Sequence, residues 1–256
     1  MSSILTCQDV SINFGGVKAV QNVSLDIRKG SVTSIIGPNG AGKTTFFNII
    51  SGVYKPTSGK VLLDGEDITS LPQHEVSKKG MARTFQNIRL FSQLDNVRNV
   101  QSALDARANY TMVEAILGLP RKRSEDKKNY DIAMECLELV GLKDFAHDRP
   151  GNLPYGMQRK VELARALASD PKLLLLDEPA AGLNPVEVED FIELLKKIRG
   201  IRDLTILLIE HRLKVVNTLS DEVFVLNFGE LLTHGTPEEV QNHPKVIEAY
   251  MGEEEE

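Results

Sequence analysis

The sequence predicts an α/β fold built on a mostly parallel β-sheet, and three observations carry that reading. The stretch Gly37-Pro38-Asn39-Gly40-Ala41-Gly42-Lys43-Thr44-Thr45 has the form G-x-x-x-x-G-K-[ST]; the run Val32–Ile36 leads into it and a helix-like segment, Thr44–Ser51, leads out. Two further runs, Lys172–Asp177 and Thr205–Glu210, are continuously apolar, as expected of parallel strands covered on both faces. Between them, Val188, Phe191, Ile192, Leu195 and Ile198 recur at helical spacing within Val186–Arg199, which makes strand, crossover helix and strand a βαβ unit.

The remaining elements follow in order. The N-terminal third is β-rich: Ile12 and Phe14, then Val23, Leu25 and Ile27, alternate with polar residues. Val61-Leu62-Leu63-Asp64-Gly65 ends a short strand on an Asp-Gly turn, a hairpin signal. A strand before Gln86 opens a helical region running from about Asn87 to Gly151. There Ala133, Cys136, Leu137 and Val140 share a face and Gly141 is placed to cap it. Arg121–Lys128 is charged in both signs and reads as a solvated loop or helix start. A helix signal returns from Tyr155 to Ala168, short strands are expected at Val223–Asn227 and Leu231–Thr233, and Glu253–Glu256 reads as a solvated tail.

Composition narrows the function classes. The chain has 256 residues, 41% hydrophobic and 26% charged, so it can bury a full core. A net charge of -6 gives no global basic signal for nucleic acid or an anionic membrane. Cys7 and Cys136 are the only cysteines and have no zinc or disulfide spacing, which points to a reducing cytosol. Met1-Ser2-Ser3 starts no signal-peptide pattern, and no apolar run approaches the length of a membrane span.

The glycine loop specifies polyphosphate chemistry. The backbone N–H groups of Asn39, Gly40, Ala41, Gly42, Lys43, Thr44 and Thr45 would wrap the phosphates at a helix N-terminus, Lys43 would reach the β- and γ-phosphates, and the Thr44 hydroxyl would ligate Mg²⁺. Asp177 and Glu178 end an apolar strand, where ligands of α/β sheets sit. Asp177 is then expected near Mg²⁺ through water, and Glu178 at the attacking water as general base. His211, after the next buried strand, is a candidate for the γ-phosphate, and the Gln86 amide for Mg²⁺ and the water.

The order of phosphate loop, Gln86, a glycine-containing helix start at Asn152–Leu167, Asp177-Glu178 and His211 resembles the ATP-binding cassette (ABC) ATPases over almost the whole chain. The "LLLLDEP" strand and "ELARAL" helix are specific matches. The resemblance implies a P-loop NTPase (RecA-like) core with an N-terminal antiparallel β subdomain and an inserted α-helical subdomain, together one ATP-binding domain. Its limits are then residues 1–86 and 159–234 for the core, 87–158 for the helical signature part and 235–256 for a tail. It also implies that Asn152–Met157 is the signature segment, with Asn152 and Gly156 contacting nucleotide, that Ala181-Gly182-Leu183-Asn184 is the D-loop, that His211 is the switch histidine, and that Phe14 stacks on adenine. The cofactors implied are ATP and Mg²⁺. A second ATPase subunit, identical or homologous, is implied as head-to-tail partner, its signature completing this chain's site.

"INFGGVKAV" (12–20), "RTFQNIRLF" (83–91), "DEPAAGLNP" (177–185), "LLIEH" (207–211) and "VIEAYMGE" (246–253) resemble the ATPase subunits of importers for branched-chain and other hydrophobic amino acids. That branch implies a separate membrane permease, indirectly a periplasmic or extracellular solute-binding protein, and a peripheral place on the cytoplasmic face of the membrane. Urea or amide importers share much of the pattern. A permease-independent ABC ATPase acting on nucleic acid or ribosomes is disfavoured by the single cassette and acidic charge, and a small-molecule kinase by the signature helix and His211. Against the common Leu-Ser-Gly-Gly-Gln signature, Pro154 replaces serine, Tyr155 a glycine and Met157 glutamine; Asn184 stands where the wider family prefers aspartate. Proline suits a helix's first turn but offers neither hydroxyl nor N–H, so the Gly156 N–H and the helix dipole are expected to take over the signature's contacts.

Overall fold

In the computed structural model, residues 2–105 and 120–251 are described. The chain forms two compact units, one of Met1–Arg83 with Lys172–Glu256, the other Thr84–Pro171. The second spans more than the 87–158 expected for the helical part, because the whole helix Tyr155–Ala168 belongs to it. The acidic tail falls outside the described residues.

The first unit holds two sheets. Strands β1 (Ser3–Phe14) and β2 (Val17–Arg28) form an antiparallel pair, and β4 (Ser58–Leu63) and β5 (Glu66–Asp67) extend it in the order β2-β1-β4-β5. The alternating strand residues point inward: Val20, Val23, Leu25 and Ile27 are all buried. The second sheet combines β3 (Val32–Ile36), β6 (Met81–Arg83), β7 (Leu173–Asp177), β8 (Thr205–Ile209), β9 (Glu222–Asn227) and β10 (Glu230–Gly235) in the order β10-β9-β3-β8-β7-β6. All neighbours are parallel except the β9–β10 hairpin. Every residue of β3, β7 and β8 is buried, which explains why their sequences do not alternate. Helices α1 (Lys43–Ile50) and α2 (Gln73–Lys78) precede the helical region of the chain.

In the second unit α3 (Asn96–Asp105), α4 (Pro120–Leu139) and α5 (Tyr155–Ala168) pack together. The charged stretch at Arg121–Lys128 is the first part of α4, while Ala133, Cys136 and Leu137 form its buried side and Gly141, at φ 76°, lies in the left-handed conformation just past its end. Back in the first unit, α6 (Pro185–Arg202) is the crossover between β7 and β8, followed by α7 (Leu213–Leu219), α8 (Pro237–Gln241) and α9 (Pro244–Met251). No helix among the described residues is long and apolar enough to cross a membrane.

Because β3, β7 and β8 run parallel, their C-terminal ends lie along one edge of the sheet. Gly37 follows the first, Asp177 ends the second with Glu178 behind it, and Glu210 and His211 follow the third. Residues far apart in sequence are delivered to one place by strand direction alone.

Candidate functional site

The glycine loop has room for no other residues at two of its positions. A Cβ on Gly37, at φ 150°, would lie 2.0 Å from the Leu226 carbonyl oxygen, and one on Gly42, at φ 95°, would lie 2.5 Å from that of Ala19. The loop is therefore packed against β9 and β2, and its close approach to both requires glycine. Gly42 is the N-cap of α1, so the following N–H groups point out of the helix start. Lys43 is buried and donates from Nζ to the carbonyls of Gly37 and Pro38, both at 2.7 Å, which holds its ammonium over the loop.

A cleft of 470 Å³ opens on this loop, lined by Asn39 to Thr45, by Val17, Lys18 and Ala19, by Glu178 and His211, and by Phe228 and Gly229. Every expected phosphate-loop residue from Asn39 to Thr45 is in it, and Glu178 and His211 join them. Glu178 has φ 48°, an uncommon conformation for a side-chain-bearing residue, and its N–H donates to the Ile209 carbonyl at 3.0 Å. Its carboxylate meets His211 Nε2 at 2.5 Å. Asp177 does not line the cleft. Its carboxylate pairs with the Arg83 guanidinium at 2.8 Å, both side chains being buried.

Two residues that the sequence reading left without a role hold this edge in place. Glu210 is 2% exposed, and its carboxylate accepts from the N–H groups of Ala180 at 3.0 Å, His211 at 2.9 Å and Arg212 at 3.1 Å. One buried anion thus ties the chain after Glu178 to the chain carrying His211. Arg212 donates to the Leu183 carbonyl at 3.0 Å, a second tie to the same segment. A carboxylate inside an otherwise apolar strand end was the available signal. At Asn184 the amide oxygen caps α6, accepting from the N–H groups of Val186 and Glu187 at 3.0 Å, while Glu187 accepts from the Asn184 N–H. Aspartate would make the same capping bonds, which accounts for the exchange.

Gln86, Asn152 and Gly156 lie in the second unit. Asn152 ends a short 3-10 turn, Pro150–Asn152, and α5 starts only at Tyr155, so Pro154 is its N-cap rather than a first-turn residue. Its carbonyl accepts from the Met157 and Gln158 N–H groups, which leaves those of Tyr155 and Gly156 as the outward donors. Tyr155, in place of a glycine, has a partner: its hydroxyl accepts from Arg159 at 2.8 Å. The same buried guanidinium donates to the carbonyls of Phe85, at 2.9 Å, and Gln86, and meets Glu162 at 3.3 Å. Burial pushes the Glu162 carboxyl above the usual range, against the opposing pull of Arg159, the Arg89 N–H and Arg165. Phe14 is not part of the cleft lining; its ring stands edge to face with Tyr54, centroids 5.3 Å apart.

Comparison with known proteins agrees with this geometry. The ABC transporter family matches residues 20–181, and the family described as branched-chain amino acid ATP-binding cassette transporter matches residues 230–256. The chain is 44% identical over 250 residues to the high-affinity branched-chain amino acid transport ATP-binding protein BraF of Pseudomonas aeruginosa, and 42% identical to LivG of Escherichia coli (strain K12), covering 98% of each chain in both cases. Among solved structures it resembles the ADP conformation of MJ1267, an ATP-binding cassette of an ABC transporter, with a TM-score of 0.86 at 30% identity over 98% of this chain and 100% of the other. A dimeric post-hydrolysis state of the cassette MJ0796 bound to ADP and Pi matches with a TM-score of 0.76 at 29% identity, over 91% of this chain and 98% of the other.

Proposed function

This chain belongs to the ATP-binding subunits of the ABC transporter family, and we propose that it hydrolyses ATP to drive import of branched-chain or other hydrophobic amino acids through a separate membrane permease. The observation that carries the hydrolytic part is the 2.5 Å contact between Glu178 and His211 in the cleft that the phosphate loop lines.

Phosphoryl transfer needs positioning and charge neutralisation more than covalent chemistry from the protein. The N–H groups of the loop and the Lys43 ammonium hold the phosphates. The Glu178 carboxylate takes the proton of the water that attacks the γ-phosphorus in line, and ADP leaves. His211, whose Nε2 is bonded to that carboxylate, fixes its orientation toward the attacking water. The strained backbone at Glu178 and the Glu210 clamp fix where the pair stands. Thr44 and, through water, Asp177 offer the hard oxygen donors that Mg²⁺ prefers. Bound there, Mg²⁺ would neutralise charge on the phosphates.

On family resemblance, Gln86 joins the metal and water contacts, and Asn152 and Gly156 act on the ATP of a second ATPase subunit in a head-to-tail pair. Both units are then parts of one ATP-binding cassette, docked peripherally on a permease at the cytoplasmic face and served by a periplasmic or extracellular solute-binding protein. The branched-chain substrate is supported by the relatives' names and by the match at residues 230–256.

Glu178→Gln should keep ATP affinity, lose about a hundredfold or more in turnover, and accumulate an ATP-bound dimer on size exclusion. Normal turnover would remove Glu178 from its role. In the reconstituted transporter, leucine, isoleucine or valine should stimulate ATP hydrolysis, and stimulation by urea alone would reassign the solute.

A further inference from the structure

The chain contains two tight hairpins of the same geometry. In β4–β5, Leu63 pairs with Glu66 across the turn Asp64-Gly65, whose φ angles are 51° and 80°. In β9–β10, Asn227 pairs with Glu230 across Phe228-Gly229, with φ angles of 46° and 81°. Positive φ at both central positions favours Asn, Asp or Gly at the first of them. Asp64 follows that preference. Phe228 opposes it, since a bulky side chain in the left-handed region is a steric outlier. Burial gives no return for this cost, because Phe228 is 81% exposed, the most exposed large hydrophobic among the described residues.

What separates the two turns is their location. Phe228 lines the phosphate-loop cleft and Asp64 does not. The backbone of its turn is locked to the loop and to β2. The Gly229 N–H donates to the Ala41 carbonyl at 3.1 Å, the Gln21 N–H to the Gly229 carbonyl at 2.7 Å, and the Gln21 side-chain amide to the Phe228 carbonyl at 3.2 Å. Loop, strand and the backbone that carries the aromatic ring are therefore held in fixed relation. Lys43, Thr44 and Glu178 give the cleft a polar lining suited to phosphates, and Val17, Ala19 and Phe228 give it an apolar lining suited to the rest of a nucleotide.

We propose that Phe228 is a binding residue of the nucleotide site whose ring packs on the ribose and base while the loop holds the phosphates. The inference rests on the nucleotide reading of the cleft. A backbone outlier kept at a site where its exposed side chain meets a ligand is the arrangement expected when strain serves binding.

The test uses the purified full chain and titrates two ligands, ATP and inorganic tripolyphosphate, which has neither base nor ribose, against the parent, Phe228→Gly and Phe228→Asn. Both substitutions suit the turn, so both variants should fold. ATP affinity should fall about fivefold or more in each, the range of a lost aromatic contact with a base. Tripolyphosphate affinity should stay within about twofold, since the loop's N–H groups and Lys43 are untouched. The thermal midpoint of Phe228→Asn should equal or exceed the parent's, because strain is relieved. ATP affinity unchanged in both variants would overturn the inference. So would an equal loss for the two ligands, which would mean that the turn acts through the shape of the loop. A parent chain that binds neither ligand would overturn the nucleotide reading itself.

Discussion

Arg83 in the first unit and Arg159 in the second both have buried side chains, and the two use their guanidinium groups differently. Arg83, 5% exposed at its side chain, bonds side chains: Asn48 and Ser51 at 2.8 Å from the end of α1, and Asp177 at 2.8 Å from the end of β7. Arg159, 3% exposed at its side chain, bonds the main chain at Phe85 and Gln86 as well as Tyr155 and Glu162. A guanidinium that holds side chains fixes the direction of a functional group. One that holds carbonyls fixes the path of the chain. Arg83 therefore governs where the Asp177 carboxylate points, and Arg159 governs the course of the loop bearing Gln86 relative to the start of α5.

The largest expected effect follows from removing Arg159. Arg159→Met takes from the buried Glu162 carboxylate its partner at 3.3 Å, leaving it Arg165 at 3.7 Å and the Arg89 N–H, and strips the Phe85 and Gln86 carbonyls of a charged donor. The cost should be about 3–5 kcal/mol in urea unfolding. Adding Glu162→Met should recover a good part of it, because the pair then leaves together. If the single variant lost less than about 1 kcal/mol, a typical hydrogen bond's worth, the guanidinium would not be what holds this loop, and the contrast with Arg83 would collapse.

Arg83→Lys should cost less, roughly 1–3 kcal/mol, since charge is retained and only the fork is lost. Its distinguishing mark lies elsewhere. With the Asp177 carboxylate no longer held by the guanidinium N–H at 2.8 Å, the Mg²⁺ dependence of ATP binding should shift, while ATP affinity measured without Mg²⁺ should stay near the parent's. A loss of affinity equal with and without Mg²⁺ would show that Arg83 supports α1 alone.

The same contrast marks what the sequence could reveal. The phosphate loop, the three buried strands and the crossover helix are local patterns, and strand direction then brings Glu178 and His211 together without further information. The ties that hold them are not local. Arg159 reaches Phe85 over 74 residues and Glu210 reaches Ala180 over 30, and a one-dimensional pattern cannot pair a buried charge with a carbonyl that far away. Tyr155 reads in the sequence as an irregularity of the expected signature because its partner, Arg159, acts through folded geometry. Pro154 moved from helix to cap for a related reason: a residue with φ -53° and ψ 153° ends the preceding turn before α5 begins. Phe14 alternates correctly within β1, yet its ring meets Tyr54, a contact that the strand pattern does not encode.

The smallest expected effect comes from an ion-pair cluster at the opposite extreme of burial. Asp64 sits in the β4–β5 turn between Lys29 at 2.6 Å and Lys172 at 2.7 Å, and hydrogen bonds from Lys172 and then Lys29 hold its carboxyl down at about 2. A carboxyl depressed in the folded state stabilises the fold fully above its unfolded value, about 3.9, and loses that contribution as pH falls through the folded value. Asp64→Asn keeps a residue that tolerates the turn's positive φ and removes only the charge. The parent should therefore exceed the variant in stability by a constant amount from pH 7 down to about pH 4, and the difference should shrink below that. Added salt at pH 7 should shrink it too, because these groups are solvent-exposed. The Arg83–Asp177 pair, buried at both partners, should show far less response to the same salt. If the two pairs respond alike, burial is not what divides them, and geometry alone would have to explain why one pair aims the Asp177 carboxylate and the other only trims a turn.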